Sequence, residues 1–318
     1  MAPRVLISRP LPDAVLTRAQ QLFDLELRAE TLPMSAAEMT RALTEFDGVM
    51  PTLGDLFSTR IFAAAPTPRA QILANFGVGY NHIDVAAAKA AGLTVTNTPG
   101  AVTDATADIA MTLILMSARR AAEGERLARS GNWQGWHPTQ MLGLHVTGRK
   151  VGIVGMGRIG QAIAHRCHFG FGMEVLFHNR SPKSVGGIAT QVSSLSELAA
   201  QVDILVVAVP GGAATYHLID SEVFAAMQPH AHFINISRGD VVDETALIHA
   251  LDAGQIGGAG LDVYEFEPAI PAALRESNKV TLLPHLGTAA LNVRTDMGMM
   301  VLDNLQAFFD GQTPPNTV

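Results

Sequence analysis

The chain carries a single cysteine, Cys167, among 318 residues. An intrachain disulfide is impossible, and no structural zinc centre can be built from thiolates. A reducing compartment, the cytoplasm, is the expectation. Charge is scarce as well: Asp, Glu, Lys and Arg make up 16% of the residues, and the formal net charge is -7. Without a long basic run, neither a nucleic acid nor an anionic membrane is expected as the main partner. An anionic ligand must be held by local donors, because the global field repels it. Long apolar runs are missing too. The opening Val5-Leu6-Ile7 is ended at once by Arg9 and Pro10, which is too short for a signal-peptide core. Residues 105–118 form the most apolar later segment, yet they contain Asp108 and fall short of the ~20 residues that span a bilayer. A buried helix, at a subunit interface, is the expected use of that segment. No short-period repeat or low-complexity stretch occurs.

What is there suits a well-packed protein: 48% of the residues are hydrophobic, and the length exceeds what one core usually organises, so two domains are expected. Short β-branched runs predict strands at 5–8, 48–50, 72–76 and 94–97, with a helix at 14–23. A long helix is predicted over 103–130, then a polar, aromatic connector at 131–138. A second series of strands follows at 150–154, 174–178, 204–209, 232–236, 258–261 and 280–283, with helices between them at 158–167 and 244–252. A last helix is predicted near 292–310. Strands alternating with helices mean parallel sheets. The expected fold class is α/β, two doubly wound parallel-sheet domains of Rossmann or flavodoxin-like kind, one inserted into the other. A substrate-binding domain is expected over 1–99 and 288–318, and a cofactor domain over 100–287.

Lys150-Val151-Gly152-Ile153-Val154-Gly155-Met156-Gly157-Arg158-Ile159-Gly160 is an apolar strand running into G-x-G-x-x-G. Gly155 permits the tight turn, Gly157 lets backbone approach a pyrophosphate, and Gly160 lets the helix lie close to the sheet. Amides opening that helix, on Met156, Arg158 and Ile159 among others, face a diphosphate where the dipole favours negative charge. NAD sites usually carry Asp or Glu about 20 residues further on, at the ribose hydroxyls. This chain reads His178-Asn179-Arg180-Ser181-Pro182-Lys183 there, with no carboxylate. Arg180 can pair with a 2′-phosphate, and Asn179 and Ser181 can donate to it. The expected cofactor is NADP(H) in preference to NAD(H); the plainer alternative is that Arg180 and Lys183 are solvated turn residues.

Three further segments end later strands: Asn235-Ile236-Ser237-Arg238-Gly239-Asp240, then Gly260-Leu261-Asp262-Val263-Tyr264-Glu265-Phe266-Glu267-Pro268, then Leu283-Pro284-His285-Leu286-Gly287-Thr288. With Asn75-Phe76-Gly77-Val78-Gly79-Tyr80-Asn81-His82-Ile83-Asp84 and Thr103-Asp104-Ala105-Thr106-Ala107-Asp108, they make nearly the whole chain resemble the D-2-hydroxyacid dehydrogenase family, within it the glyoxylate/hydroxypyruvate reductases. Asp108 stands where that family often has Glu. The resemblance implies His285 as general acid/base, Glu267 as its carboxylate partner and Arg238 as the substrate-anchoring cation. These types suit the chemistry. Hydride reduction of a ketone leaves an alkoxide that needs a proton, which histidine supplies near neutral pH. A carboxylate orients the ring, and a guanidinium fork binds a carboxylate and polarises a carbonyl. Also implied are cofactor contacts at Thr106, Val209, Pro210, Thr215, Ile236, Ser237, Asp262 and Gly287, with Asp262 at the nicotinamide carboxamide and Pro210 lining the ring pocket. Val78 and Gly79 amides match the family's carboxylate-binding loop, an anion nest. Met50, Thr52 and Leu53 sit on a loop that in the family faces the substrate side chain. No metal is expected.

Other candidates carry plainer readings. Glu265 is a neighbour that could be mistaken for Glu267, but the family places its carboxylate directly before proline. His165, Cys167 and His168 lack further clustered ligands and read as core or surface residues. Met297, Met299 and Met300 read as packing. Trp136 resembles an aromatic that reductases of this group donate to the neighbouring subunit's site, implying a homodimer; packing of both tryptophans within their own subunit is the alternative. The domain division suggests closure about hinges near Pro99-Gly100 and Gly287. The expected reaction is NADPH-dependent reduction of a small 2-oxo acid, glyoxylate or hydroxypyruvate, to the D-2-hydroxy acid. Rival readings are another dehydrogenase of the family, such as a phosphoglycerate type, and a non-enzymatic NAD(P)-sensing protein on the same fold.

Overall fold

The structure, a computed structural model, describes residues 2–318. The chain divides into two compact units, one running to Val102 and resuming as Thr288–Val318, the other Thr103–Gly287. The first crossing lies just beyond the expected 99/100 boundary, because Ala101 and Val102 precede the helix that Thr103 opens.

In the first unit the elements run β1 (Arg4–Ile7), α1 (Asp13–Leu22), β2 (Asp24–Leu27), α2 (Ala36–Glu45), β3 (Gly48–Met50), α3 (Thr59–Ala64), β4 (Ile72–Ala74), α4 (Val85–Ala90) and β5 (Thr94–Thr96). The strands form one parallel sheet in the order β2-β1-β3-β4-β5, the flavodoxin-like winding. Both faces are buried, as parallel sheets require. Leu6, Val49, Leu73 and Val95 face one layer of helices. Val5, Ile7, Met50, Ile72 and Ala74 face the other, completed by Val301, Leu302 and Leu305 of the long helix from the end of the chain. Met50 is thus a core residue with no exposure, which corrects its assignment to the substrate loop. Side chains alternate along a strand, so Met50 enters the face opposite Val49 and packs there with Val301, Leu302 and Leu305. Strand β2 was not expected: its sequence DLEL is half charged and only partly buried, so it lacks an apolar signature. Helix α2 opens on a capping box of Ser35 and Glu38.

The second unit opens with α5 (Thr103–Ala118) and α6 (Ala121–Arg129). The single helix expected over 103–130 is broken at Arg120, which takes φ +53. The unit continues with β6 (Lys150–Val154), α7 (Arg158–His165), β7 (Glu174–His178), β8 (Thr190–Gln191), α8 (Leu195–Gln201), β9 (Ile204–Val207), α9 (Ser221–Ala226), β10 (His232–Asn235), α10 (Glu244–Asp252), β11 (Gly258–Leu261), α11 (Ala272–Glu276) and β12 (Val280–Leu282). The last helix of the chain, α12 (Leu291–Phe309), belongs to the first unit. All seven strands of the second sheet are parallel, ordered β12-β11-β10-β9-β6-β7-β8. This is the doubly wound Rossmann order, with its switch point between β6 and β9. Ala107, Ala110, Leu113 and Ile114 of α5 join Val151, Ile153, Val206 and Ile234 in one cluster. Most of the apolar surface of 105–118 is therefore buried inside its own unit, while Ile109, Leu115 and Met116 stay partly exposed. Among the described residues no helix is long and apolar enough to cross a membrane.

Candidate active site

At the C-terminal end of β6 the chain turns at Gly155, φ +96, where an added Cβ would strike Val209 and the Ala208 carbonyl. Gly160 lies against the Gly155 carbonyl with no room for a side chain. Gly157 differs: an added Cβ would meet nothing within 4 Å. The turn is closed on its protein side and open where a diphosphate would lie. The Met156 N–H donates to Asn179 Oδ1 at 3.2 Å, so this amide is committed to the protein. Those of Gly157, Arg158 and Ile159 are the orphan donors of the α7 terminus.

Asn179 is turned inward as well. Its Nδ2 donates to Ser181 O at 2.8 Å and to Ser181 Oγ at 3.3 Å. Asn179 therefore braces the turn after β7, and Arg180, Ser181 and Lys183 are left facing solvent. Further along, Thr215 Oγ1 donates to Pro210 O at 2.7 Å and closes the loop after Val209. Ile236 and Ser237 are buried at the end of β10, and the Thr106 hydroxyl donates to Gly287 O at 3.2 Å.

Arg238 follows Ser237, half-buried, with Nη1 donating to Ser237 O at 2.7 Å. Burial lowers its pKa, against the opposing charges of Glu267 and Asp240. The Asn235 side chain holds the turn by donating to Arg238 O and accepting from the Ser237 N–H. Glu267 Oε1 accepts from the Tyr264 N–H at 3.0 Å, and its Oε2 lies 2.9 Å from His285 Nδ1. Burial pushes the Glu267 carboxyl up, but His285, the Tyr264 amide and Arg238 together bring it below its ordinary value. A carboxylate can only accept, so Nδ1 carries the proton and Nε2 is left for chemistry. His285 takes φ +55, a left-handed conformation that costs a non-glycine residue about 1 kcal/mol or more. Asp262 sustains it: the His285 N–H donates to Asp262 O, and the Leu286 and Gly287 amides donate to the Asp262 carboxylate at 2.6 and 2.8 Å. Asp262, expected at the nicotinamide, is thus also the support of the histidine turn. Burial raises its carboxyl pKa against those two bonds.

Several residues of this network were not anticipated. His217 Nε2 lies 2.8 Å from Glu265 Oε1, and its N–H donates to Asp240 O at 2.9 Å. The Glu265 N–H donates to Glu244 Oε1. Glu265 is therefore no rival to Glu267; it ties the Glu267 loop to the loop beside Pro210. His217, at φ +49, thus joins the loop after Pro210 to Asp240 and to Glu265, and nothing in its sequence setting signals that.

In the first unit, Asn75 Nδ2 donates to the carbonyls of Gly77 and Gly79, both at 3.0 Å. Asn97 Nδ2 donates to Val78 O at 2.9 Å. With these carbonyls drawn inward, the N–H groups of Val78 and Gly79 take no protein acceptor among the described residues. That leaves a pair of adjacent donors suited to an anion. Buried Asp55 accepts from the Thr52 N–H and the Ser8 hydroxyl, fixing the loop on which Leu53 is partly exposed. Thr52 itself is buried.

Cys167 is buried in the π-helical turn after α7, and burial pushes its thiol up to about 12. Among the described residues no group of three or more His, Cys, Asp or Glu side chains could hold a metal ion. Trp133 and Trp136 are 55% and 78% exposed, so neither is buried within its own chain.

Comparison with known proteins identifies the family. Residues 111–287 match the D-isomer specific 2-hydroxyacid dehydrogenase NAD-binding domain. The chain is 40% identical to a glyoxylate reductase of Thermococcus onnurineus over 324 residues, covering 100% of this chain and 96% of that one. A glyoxylate reductase of Korarchaeum cryptofilum is 41% identical, with the same coverage. Among solved structures, an NADPH-dependent glyoxylate/hydroxypyruvate reductase of Sinorhizobium meliloti, in complex with NADP and malonate, superposes with a TM-score of 0.89 at 37% identity, covering 100% of this chain and 97% of that one.

Proposed function

Because the chain belongs to the D-isomer specific 2-hydroxyacid dehydrogenase family, we propose that it is an NADPH-preferring reductase of glyoxylate or hydroxypyruvate. Membership itself makes it an oxidoreductase with an NAD(P)-binding domain that reduces a 2-oxo acid. The product is the 2-hydroxy acid, of D configuration where the carbon is chiral. The observation that carries the chemistry is the 2.9 Å Glu267–His285 pair in the same network as Arg238.

A bound nicotinamide supplies the hydride to the substrate C2. The fit is favourable, since the turn is open at Gly157 and closed behind Gly155 and Gly160. Arg238 polarises the carbonyl and offsets the developing alkoxide charge. His285, its Nδ1 proton held by Glu267, donates from Nε2 to the alkoxide oxygen, so one hydride and one proton complete the reduction. The free Val78 and Gly79 amides bind the substrate carboxylate, and Leu53 borders the side-chain end. Thr106, Val209, Pro210, Thr215, Ile236, Ser237, Asp262 and Gly287 are the proposed further cofactor contacts.

NADP(H) preference rests on the missing carboxylate after β7 and on Arg180 and Lys183, which make no protein ion pair among the described residues. The Sinorhizobium relative, an NADPH-dependent enzyme, supports the same reading. Homodimer formation rests on exposed Trp133, Trp136 and Leu142 in one connector, with Trp136 offered to the neighbouring subunit. Reduced-nicotinamide oxidation, followed with glyoxylate and hydroxypyruvate, tests the assignment. Consumption of NADPH much faster than NADH supports it; equal rates sink the cofactor part, and no turnover with either acid sinks the substrate part.

A further inference from the structure

After β7 the chain turns through Asn179-Arg180-Ser181-Pro182-Lys183, and one side chain from the edge strand β8 takes three of its backbone groups. Gln191 donates from Nε2 to Asn179 O at 3.1 Å and to Ser181 O at 3.4 Å. Its Oε1 accepts from the Lys183 N–H at 3.1 Å. Asn179 ties the same turn to the glycine loop through the Met156 N–H. The backbone of the turn is fixed from both sides. Its two cationic side chains, by contrast, have no acceptor on the protein among the described residues.

An exposed surface glutamine has no need of three bonds to one turn; water would satisfy it equally well. Their effect is to remove conformational freedom from the segment that carries Arg180. A guanidinium binds phosphate best when its fork is already aimed, because ordering it on binding subtracts from the affinity. We propose that Gln191 is a specificity-positioning residue, fixing the turn so that Arg180 and the Ser181 hydroxyl meet an adenosine 2′-phosphate. The inference rests on the NADP(H) reading and adds a residue outside the glycine motif and outside the turn. Gln191 does not touch the phosphate; it acts through the backbone that Arg180 stands on.

The test uses two probes that differ only by the 2′-phosphate, 2′,5′-ADP and 5′-AMP, titrated calorimetrically into the full-length protein. Gln191→Met keeps the side-chain length on an exposed strand and removes every bond to the turn. Binding of 2′,5′-ADP is expected to weaken by about tenfold, the loss of one to two ordinary hydrogen bonds, while 5′-AMP binding stays unchanged. Parallel weakening of both probes, or no change in either, overturns the inference. If the unaltered protein binds both probes equally, the NADP(H) reading itself fails. A preference in the unaltered protein that survives Gln191→Met refutes only the role of Gln191.

Discussion

Replacing Glu267 by Gln changes one atom and leaves a donor where an acceptor is required. The two carboxylate oxygens accept from the Tyr264 N–H at 3.0 Å and from His285 Nδ1 at 2.9 Å. An amide has one oxygen. If it stays on the Tyr264 N–H, the NH2 group faces Nδ1, and the ring must present Nδ1 as an acceptor. An imidazolium, protonated at both nitrogens, then meets a donor. The variant loses a hydrogen bond to a charged group, worth about 1.5–3 kcal/mol, and gains an unmet donor costing about 1–3 kcal/mol. Both side chains retain 29–31% exposure, so solvent screens the pair and the lower part of each range applies. A total of about 3–4 kcal/mol corresponds to a fall in kcat of about 10²- to 10³-fold. Steady-state NADPH oxidation with saturating glyoxylate measures it, alongside the Kd for NADPH, which is expected to hold. A kcat within threefold of the parent would refute the assigned tautomer and the role of Glu267 together.

Arg180→Asp is expected to raise the KM for NADPH by about 10²-fold while leaving that for NADH nearly unchanged; equal losses would falsify the 2′-phosphate assignment. Asn75→Ala frees the Gly77 and Gly79 carbonyls, so KM for the oxo acid should rise about tenfold or more, with cofactor affinity retained. An unchanged KM would remove the Val78–Gly79 nest from substrate binding. His232 is buried beside the Ser117 hydroxyl, and burial pushes its imidazole down to about 4 from 6.5, the His230 charge adding to it. A folded value below the unfolded one means stability that is full above 6.5 and lost as pH falls toward 4. At about pH 4.5 the loss amounts to about 2.5 kcal/mol. Urea unfolding of His232→Gln should show a shallower decline between about pH 7.5 and 4.5; an identical slope would contradict the argument.

The cofactor half of the molecule was legible because its chemistry is local in sequence. Gly155, Gly157 and Gly160 fall within six consecutive positions, and β6, β7 and β11 end where their apolar runs end. His285, Glu267 and Arg238 were proposed from motifs; the structure brings His285 to 2.9 Å from Glu267, and the charge of Arg238 acts on that carboxyl. The supports were hidden. Asn75, Asn97 and His217 act across long sequence separations through side-chain bonds to backbone, and no spacing rule announces a buried asparagine. The break at Arg120 was equally silent, since a left-handed arginine carries no mark that glycine or asparagine would. Residues 105–118 were legible as a buried helix from their apolarity, but composition does not say which surface each side chain meets.

Helix α12 closes the face of the first sheet formed by Val5, Ile7, Met50, Ile72 and Ala74. A ribosome makes those strands early and α12 after the whole of Thr103–Gly287. During that interval one face of the newborn sheet is covered only in part, by Val15 and Ala19 of α1, while the inserted unit already possesses every segment of its own core. The inserted unit can therefore reach its native state first, and the N-terminal segment must stay partly open until synthesis is nearly over. Its exposed apolar strands are the natural substrate for a holding chaperone. Damage to α12 would then be felt first as aggregation of chains in production, before any loss in the cofactor unit.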